Sequence, residues 1–380
     1  MKKKIAIFYP YFMTGGGEAV TAWSIEALKD SYDVSLFTWD KIKLEILNNL
    51  YGMHLSIGDV AIINPPLSFL LNKIPNFGLF KYHLLMRYFK NLKTNFDVLF
   101  GTYKEIDFGR RGLQYIHFPE MEQKSHELDF FSRQYYRSNF LRNLYKKFCY
   151  SISSFNEGNM KQNITLTNSN WTRGMIKKIM DIESYVVSPP VLDDFVEIPW
   201  GEREEGFVCI GRISPEKRIK LIIKIISLVR KAGFNVHLHI IGPVGDISYY
   251  KEIKQIQKEN RWIFIEGLID RKSLVSTLLQ HKYGIHGRRD EHFGIGIVEI
   301  VKAGCIIFVP DGGGQVEIVD NPQLIYRDED DAMRKIEKVL SDANIQIILR
   351  KHLSVCSQKF SVESFQQSIK SIVREFLKID

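Results

Sequence analysis

Between Asp290 and Gly304, two carboxylates, Glu291 and Glu299, stand with seven residues between them in a stretch that is otherwise mostly apolar and carries Gly294 and Gly296. The pattern predicts a loop followed by a short helix beginning near Gly294. The first N–H groups of such a helix have no partner within it and suit an anion. Glu299 falls on a helix that is apolar on nearly every side. A carboxylate buried there alone would cost on the order of several kcal/mol, so it requires a donor. Glu291 lies in the preceding loop near the same end, where a capping or solvated carboxylate is the competing reading. Two carboxylates and a row of backbone donors around one crevice can hold and activate a polar, anionic ligand.

Cations stand at a matching position. The run Phe207–Ile210 leads into Gly211-Arg212-Ile213-Ser214-Pro215-Glu216-Lys217. At a strand's C-terminal end, on either side of a Ser-Pro turn, Arg212 and Lys217 can converge on one anion. Their register with the Glu291 helix favours a diphosphate over plain surface charge. Near the amino terminus, Ile5–Tyr9 runs into Thr14-Gly15-Gly16-Gly17-Glu18. Glycines between a strand and a helix let backbone N–H groups come close to a ligand, although the spacing fits neither a Walker loop nor the dinucleotide fingerprint. His117 closes the apolar run Gln114–Pro119, at the strand end where ligands of open α/β sheets gather. A single histidine is otherwise more often structural.

The elements that must position these residues are legible as short apolar runs alternating with helical patterns. Strands are predicted at Ile5–Tyr9, Asp33–Phe37, Asp97–Gly101, Gln114–Pro119 and Ile164–Ser169, the last ending at the cap of a helix over Trp171–Met180. The second half alternates more cleanly, with strands at Phe207–Ile210, Val236–Ile241, Trp262–Glu266, Tyr283–His286 and Cys305–Val309, and a helix over Arg218–Lys231. Alternation of this kind predicts a doubly wound parallel α/β sheet. Pro189-Pro190-Val191 and the acidic, polar stretch Asp193–Glu205 mark a domain boundary, dividing the chain into 1–192, 193–360 and a closing helix over 361–380.

A chain of 380 residues with 45% hydrophobic and 25% charged residues is expected to be soluble, globular and two-domained. The formal charge of +8 favours an anionic partner such as a nucleotide, a phospholipid or a nucleic acid. Cys149, Cys209, Cys305 and Cys356 are far apart and form no CxxC, which reads as reduced core thiols. Met1-Lys2-Lys3-Lys4 and the apolar run after it are too short for a signal peptide, and Pro65-Pro66 breaks the best candidate for a membrane span. Two basic, aromatic, helix-like segments, Lys81–Lys93 and Phe131–Phe155, suit an anionic membrane surface or a lipid-linked substrate. The second holds Arg133, Arg137, Arg142, Lys146 and Lys147. The alternative is an ordinary amphipathic helix with a solvated basic face.

Over nearly its whole length the chain resembles the retaining glycosyltransferases of family 4, which have the GT-B fold. The motifs that carry the resemblance are the Gly15–Glu18 turn, Gly211-Arg212…Lys217, the paired Glu291 and Glu299, Asp311–Val319 and the closing segment Phe360–Phe365. Within that family, Tyr115–Pro119 and Glu291–Gly296 are most similar to α-1,2-mannosyltransferases that extend lipid-linked oligosaccharides from GDP-mannose. The resemblance implies two Rossmann-like domains facing a central cleft, with the last helix crossing back to the first domain. It implies a nucleotide-sugar donor against Gly16, Gly17, Arg212 and Lys217, with His292, Phe293, Gly294, Ile295 and Gly296 at its diphosphate and Glu299 on the ribose hydroxyls. His117, Arg212, Lys217 and Glu291 are the implied catalytic residues. No cofactor and no metal are expected, since no ligand cluster is evident in the sequence.

The sequence departs from the family at Gly287, where Ser or Thr is usual; Arg288 or Arg289 is the expected replacement for that polar contact. The acceptor is expected to be a saccharide or a lipid-linked one, the location cytoplasmic or peripheral at the inner face of a membrane, and the partners to exclude nucleic acid. Four alternatives stay open: a UDP-sugar-dependent transferase, a catalytically inactive nucleotide-sugar-binding protein, another GT-B enzyme such as an epimerase or phosphorylase, and a basic nucleic-acid-binding protein.

Overall fold

A computed structural model of the chain describes residues 2–12, 15–66, 68–71, 78–119 and 139–379. Thr14, Arg133 and Arg137, and the side chain of Arg142, lie outside the described residues. The chain divides into two compact units, Met1–Pro190 with Val362–Asp380, and Val191–Ser361.

The first unit holds strands β1 (Lys4–Phe8), β2 (Asp33–Phe37), β3 (Ala61–Ile63), β4 (Val98–Gly101), β5 (Leu113–Ile116), β6 (Ile164–Thr167) and β7 (Ser184–Val186). Among the described residues they form one sheet in the order β3-β2-β1-β4-β5-β6-β7, parallel throughout. The second unit holds β8 (Glu204–Ile210), β9 (His237–Ile241), β10 (Ile263–Gly267), β11 (His281–Ile285), β12 (Ile306–Pro310) and β13 (Ile325–Tyr326). Their order is β10-β9-β8-β11-β12-β13, again all parallel. In both sheets the chain winds outward in one direction from its first strand and then returns to the other side of that strand. The resulting switch points, β1/β4 and β8/β11, are where ligands of open α/β sheets bind, outside the carboxyl ends of the strands.

The residue pattern accounts for these elements. Ile306-Ile307-Phe308-Val309 is buried along its whole length, as a parallel strand covered on both faces requires. The helix Ile219–Lys231 buries Ile219, Ile222, Ile223, Ile226 and Val229, a stripe at three- and four-residue spacing. The Ser169 hydroxyl accepts from Thr172 N at 3.1 Å and starts the helix Asn170–Met180 after β6. The last helix, Val362–Ile379, buries Phe365, Ile369, Val373 and Phe376 along one side and packs on the helix Gly16–Leu28 of the first unit. Arg111 of the same unit lies over the Phe376 ring at 5.8 Å.

The strands read from sequence are present within a few residues of the expected bounds. Three edge strands, β3, β7 and β13, are too short to show a period. β8 begins at Glu204, inside the stretch read as an acidic linker, because backbone pairing with β9 and β11 holds the chain extended there. Cys149, Cys209 and Cys305 are buried free thiols and Cys356 is partly buried. In the basic segment Lys81–Lys93 the helix Gly78–Asn91 buries Lys81, His83, Met86 and Phe89 and leaves Arg87 exposed. Lys90 Nζ bonds Asp107 Oδ2 at 2.5 Å, so this charge serves the interior. Among the described residues no helix is long and apolar enough to cross a membrane.

Candidate active site

In the second unit the predicted residues gather at the carboxyl ends of β8 and β11, its switch point. The turn after β8 carries Lys217, whose ammonium bonds the Glu291 carboxylate in a short ion pair. Both side chains are mostly covered, 15% and 12% exposed. Glu291 sits in the loop after β11. Burial alone would push its carboxyl up, but the Lys217 charge, and His286 after it, hold it well below the ordinary carboxylate range. His286, the residue after β11, is 4% exposed and brings Nε2 within 3.3 Å of Glu291 Oε2. Burial lowers the His286 pKa against the opposing pull of Glu291. The stem of Lys217 runs past Gly211, where a Cβ would stand 3.2 Å from Lys217 Cε.

The departure at Gly287 has a steric explanation. A Cβ there would meet Lys217 O at 2.8 Å and Arg218 O at 3.1 Å, so the β11 loop rests directly on the backbone of the lysine turn. A larger residue would push the two loops apart. The two arginines that follow are otherwise engaged: Arg289 Nε donates to Asp311 O at 3.0 Å, and Arg288 Nη2 lies 3.3 Å from His292 Nε2.

Gly294, at φ 110°, turns the chain into the helix Ile295–Lys302, which has no side-chain cap. Among the described residues no side chain caps its first N–H groups. At Gly296 a Cβ would come within 2.9 Å of Ile210 Cβ, so the glycine lets the helix start lie against the end of β8. The neighbouring turn is pinned by Gln315, fully buried, whose amide donates to Arg289 O at 2.8 Å and Arg288 O at 3.0 Å. Gly314 N adds a bond to Glu291 O at 2.7 Å.

Glu299 has the donor its burial demands: Arg271 Nη1 bonds its Oε1. Arg271 is in turn held by Asp194 through Nε at 2.9 Å and Nη2 at 2.6 Å. Burial raises the Glu299 carboxyl, with Arg271 opposing. Arg212 differs from Lys217: its side chain is 59% exposed and its nearest carboxylate oxygen, Glu216 Oε1, lies 3.8 Å away.

His117, Gly16 and Gly17 belong to the first unit, at its own switch point. His117 Nε2 lies 3.0 Å from Thr102 O, the residue after β4. A Cβ on Gly17 would meet Tyr9 Oη at 2.6 Å and His117 Nε2 at 3.3 Å, so the glycine turn closes directly on the imidazole. Desolvation lowers the His117 pKa to about 4, with the Thr102 carbonyl opposing. His286, Arg271 and Asp194 escaped the sequence reading as site residues, and Gln315 entered it only within the Asp311–Val319 motif. His286 follows an apolar strand with nothing local to mark it, whereas Arg271 was demanded in kind, since Glu299 needed a donor.

Residues 192–359 match the family model described as Glycosyl transferases group 1, just under half of the chain. A human protein named GDP-Man:Man(3)GlcNAc(2)-PP-Dol alpha-1,2-mannosyltransferase is 23% identical over 98% of this chain and 87% of its own length. The protein of that name from Neurospora crassa is 29% identical over 40% of this chain and 33% of its own. The crystal structure of Anabaena Alr3699/HepE in complex with UDP-glucose superposes with a TM-score of 0.69, covering 98% of this chain and 99% of that one at 15% identity. The two Rossmann-like sheets are thus those of the GT-B fold, and the chain is a glycosyltransferase.

Proposed function

We propose that the enzyme moves a hexose from a nucleoside diphosphate sugar to a saccharide or lipid-linked acceptor with retention at the anomeric carbon, with GDP-mannose as donor. The observation that carries this reading is the Lys217–Glu291 pair set beside the uncapped start of the helix Ile295–Lys302 at the β8/β11 switch point. As the glycosidic bond breaks, negative charge grows on the leaving diphosphate. Lys217 and the N–H groups near Gly294–Gly296 supply fixed positive charge there, joined by Arg212 once the diphosphate orders it, which lowers the barrier because it acts most strongly in the transition state. The same groups make a metal unnecessary for the leaving group. Glu299, steadied through Oε1 by Arg271, offers Oε2 to the ribose hydroxyls. Glu291 serves the donor sugar, as does His117. The backbones of His292, Phe293 and Ile295 complete the donor contacts, and Gly16 and Gly17 allow backbone approach in the first unit.

The donor is drawn from the full-length human relative, whose name specifies GDP-mannose. UDP-glucose in the HepE crystal structure supports a second reading with a UDP-sugar. A hydrolysis and transfer screen across GDP- and UDP-sugars, with and without EDTA, separates them. Turnover of GDP-mannose that survives EDTA, giving an α-linked product by NMR, is expected. Nucleotide binding with no turnover of any donor would identify an inactive sugar-nucleotide binder instead.

The helix Asn139–Ser153 supports peripheral docking on an anionic membrane. It exposes Leu144, Lys147 and Phe148, and elsewhere in the same unit Phe69 and Leu70 are also exposed. Binding to anionic liposomes should weaken with salt. Charge reversal of Arg137, Arg142, Lys146 and Lys147 should abolish it; unchanged binding would refute the docking.

His117 acts in this reading as a neutral imidazole. Because the fold keeps it neutral to about pH 4, the folded state binds fewer protons than the unfolded chain below the ordinary value near 6.5. Its contribution to stability therefore falls as pH drops from 6.5 toward 4 and levels off below. An NMR titration should show the His117 ring neutral at pH 5; a midpoint between 6 and 7 would contradict the assignment.

A further inference from the structure

At the opposite, amino-terminal ends of the strands in the second unit, three imidazoles meet. His237 and His239 lie two residues apart on β9 and so face the same side of the sheet. His281 begins β11. The strand between them, β8, places Gly206 across from His237. A Cβ at Gly206 would stand 2.2 Å from His237 Nε2 and 2.6 Å from His281 Cδ2, so only glycine leaves room for the two rings to meet. One ligand nitrogen from each of the three histidines lies within 4.8 Å of the others. His237 Nε2 and His281 Nε2 are 3.0 Å apart.

The surrounding acceptors fix two of the tautomers. His281 Nδ1 lies 2.6 Å from Thr277 O, and a carbonyl can only accept, so Nδ1 carries the proton and Nε2 presents a lone pair. His239 Nδ1 lies 2.8 Å from Glu266 Oε1, which leaves its Nε2 in the same state. A carbonyl or carboxylate behind each ring is the arrangement that orients metal-binding histidines. Glu204 Oε2 lies 3.4 Å from His237 Nε2, outside the mutually close trio, and its 59% exposed side chain has room to turn in as a carboxylate ligand. Two nitrogens bound tetrahedrally to zinc at about 2.0–2.1 Å stand roughly 3.3 Å apart, so the His237–His281 spacing needs only a small opening. His237, His239 and Glu204 also line a surface cavity of about 500 Å³, which gives an ion a way in. Arg230 and Arg261 share that cavity. The Arg230 guanidinium is held on Val236 O and over the Trp262 ring, although its charge still reaches His237.

We propose that His237, His239 and His281, with Glu204 as fourth ligand, bind one divalent transition-metal ion of the zinc type. The ion would tie β9 to β11 across Gly206. It sits at the strand ends remote from the Lys217–Glu291 pair, so its expected effect is on stability and not on turnover.

The test uses the full chain with any affinity tag removed, stripped with EDTA and titrated with cobalt(II) alone. One cobalt per chain should bind with the intense visible bands of a four-coordinate site, and zinc should displace it and raise the unfolding midpoint. His239→Gln, at a partly exposed position, should lose the bands and the midpoint shift. Glu266→Ala should weaken affinity by about 10–100-fold by freeing the His239 ring. Absence of four-coordinate bands in the wild type, or bands and shift that persist in His239→Gln, would overturn the assignment and leave the three rings as a hydrogen-bonded cluster.

Discussion

The ion pair between Lys217 and Glu291 is the constraint from which the rest of the second unit's site follows. Two charges this deeply covered each lose solvation worth several kcal/mol, roughly, and only close contact recovers it. Removing one partner from such a pair typically costs about 3–5 kcal/mol, because the other is left buried and uncompensated. To bring the charges together, the turn after β8 and the loop after β11 must touch, and Gly287 is the residue that lets their backbones do so. Gln315 and Gly314 then hold the far side of the Glu291 loop. The helix start at Gly294 inherits its place from that loop. Gly296 seats it against Ile210, so its N–H groups and the lysine lie at the same switch point.

Arg212 and Lys217 look equivalent in sequence but are not equivalent in the molecule. Lys217 is preorganised by a carboxylate; Arg212 is exposed and loosely paired. A preorganised cation has no side-chain freedom left to lose when charge develops beside it, whereas an exposed arginine must be ordered by its ligand. In the proposed reaction this divides the labour: Arg212 meets the incoming diphosphate and Lys217 acts as its charge grows.

The sequence made the sheets and the neighbourhood of the site readable because both rest on local pattern. Apolar runs such as Cys305–Val309 and the stripe from Ile219 to Val229 declare themselves, and a glutamate on an apolar helix demands a donor. Which donor it takes was not readable, since Arg271 and Glu299 are 28 positions apart and meet only through the packing of two helices. His286 stayed hidden because it follows an apolar strand with nothing local to mark it as a site residue. The three-histidine cluster escaped because its members come from two strands separated in sequence and are brought together only by the order β9-β8-β11. In the basic segment Lys81–Lys93, net charge does not reveal which lysines are buried against partners; Lys90 is answered by Asp107 from the loop after β4. Gly287, read as a lost polar contact, is better understood as a steric requirement.

The most direct measurement is of kcat and KM for Lys217→Ala on a donor the wild type turns over, with both units shown to remain folded. If Lys217 stabilises the leaving diphosphate, kcat should fall about 10²–10³-fold while the donor KM changes little, as for loss of one fixed donor in a transition state. A variant that keeps near-normal kcat would contradict the account and reduce the Lys217–Glu291 pair to a structural clasp.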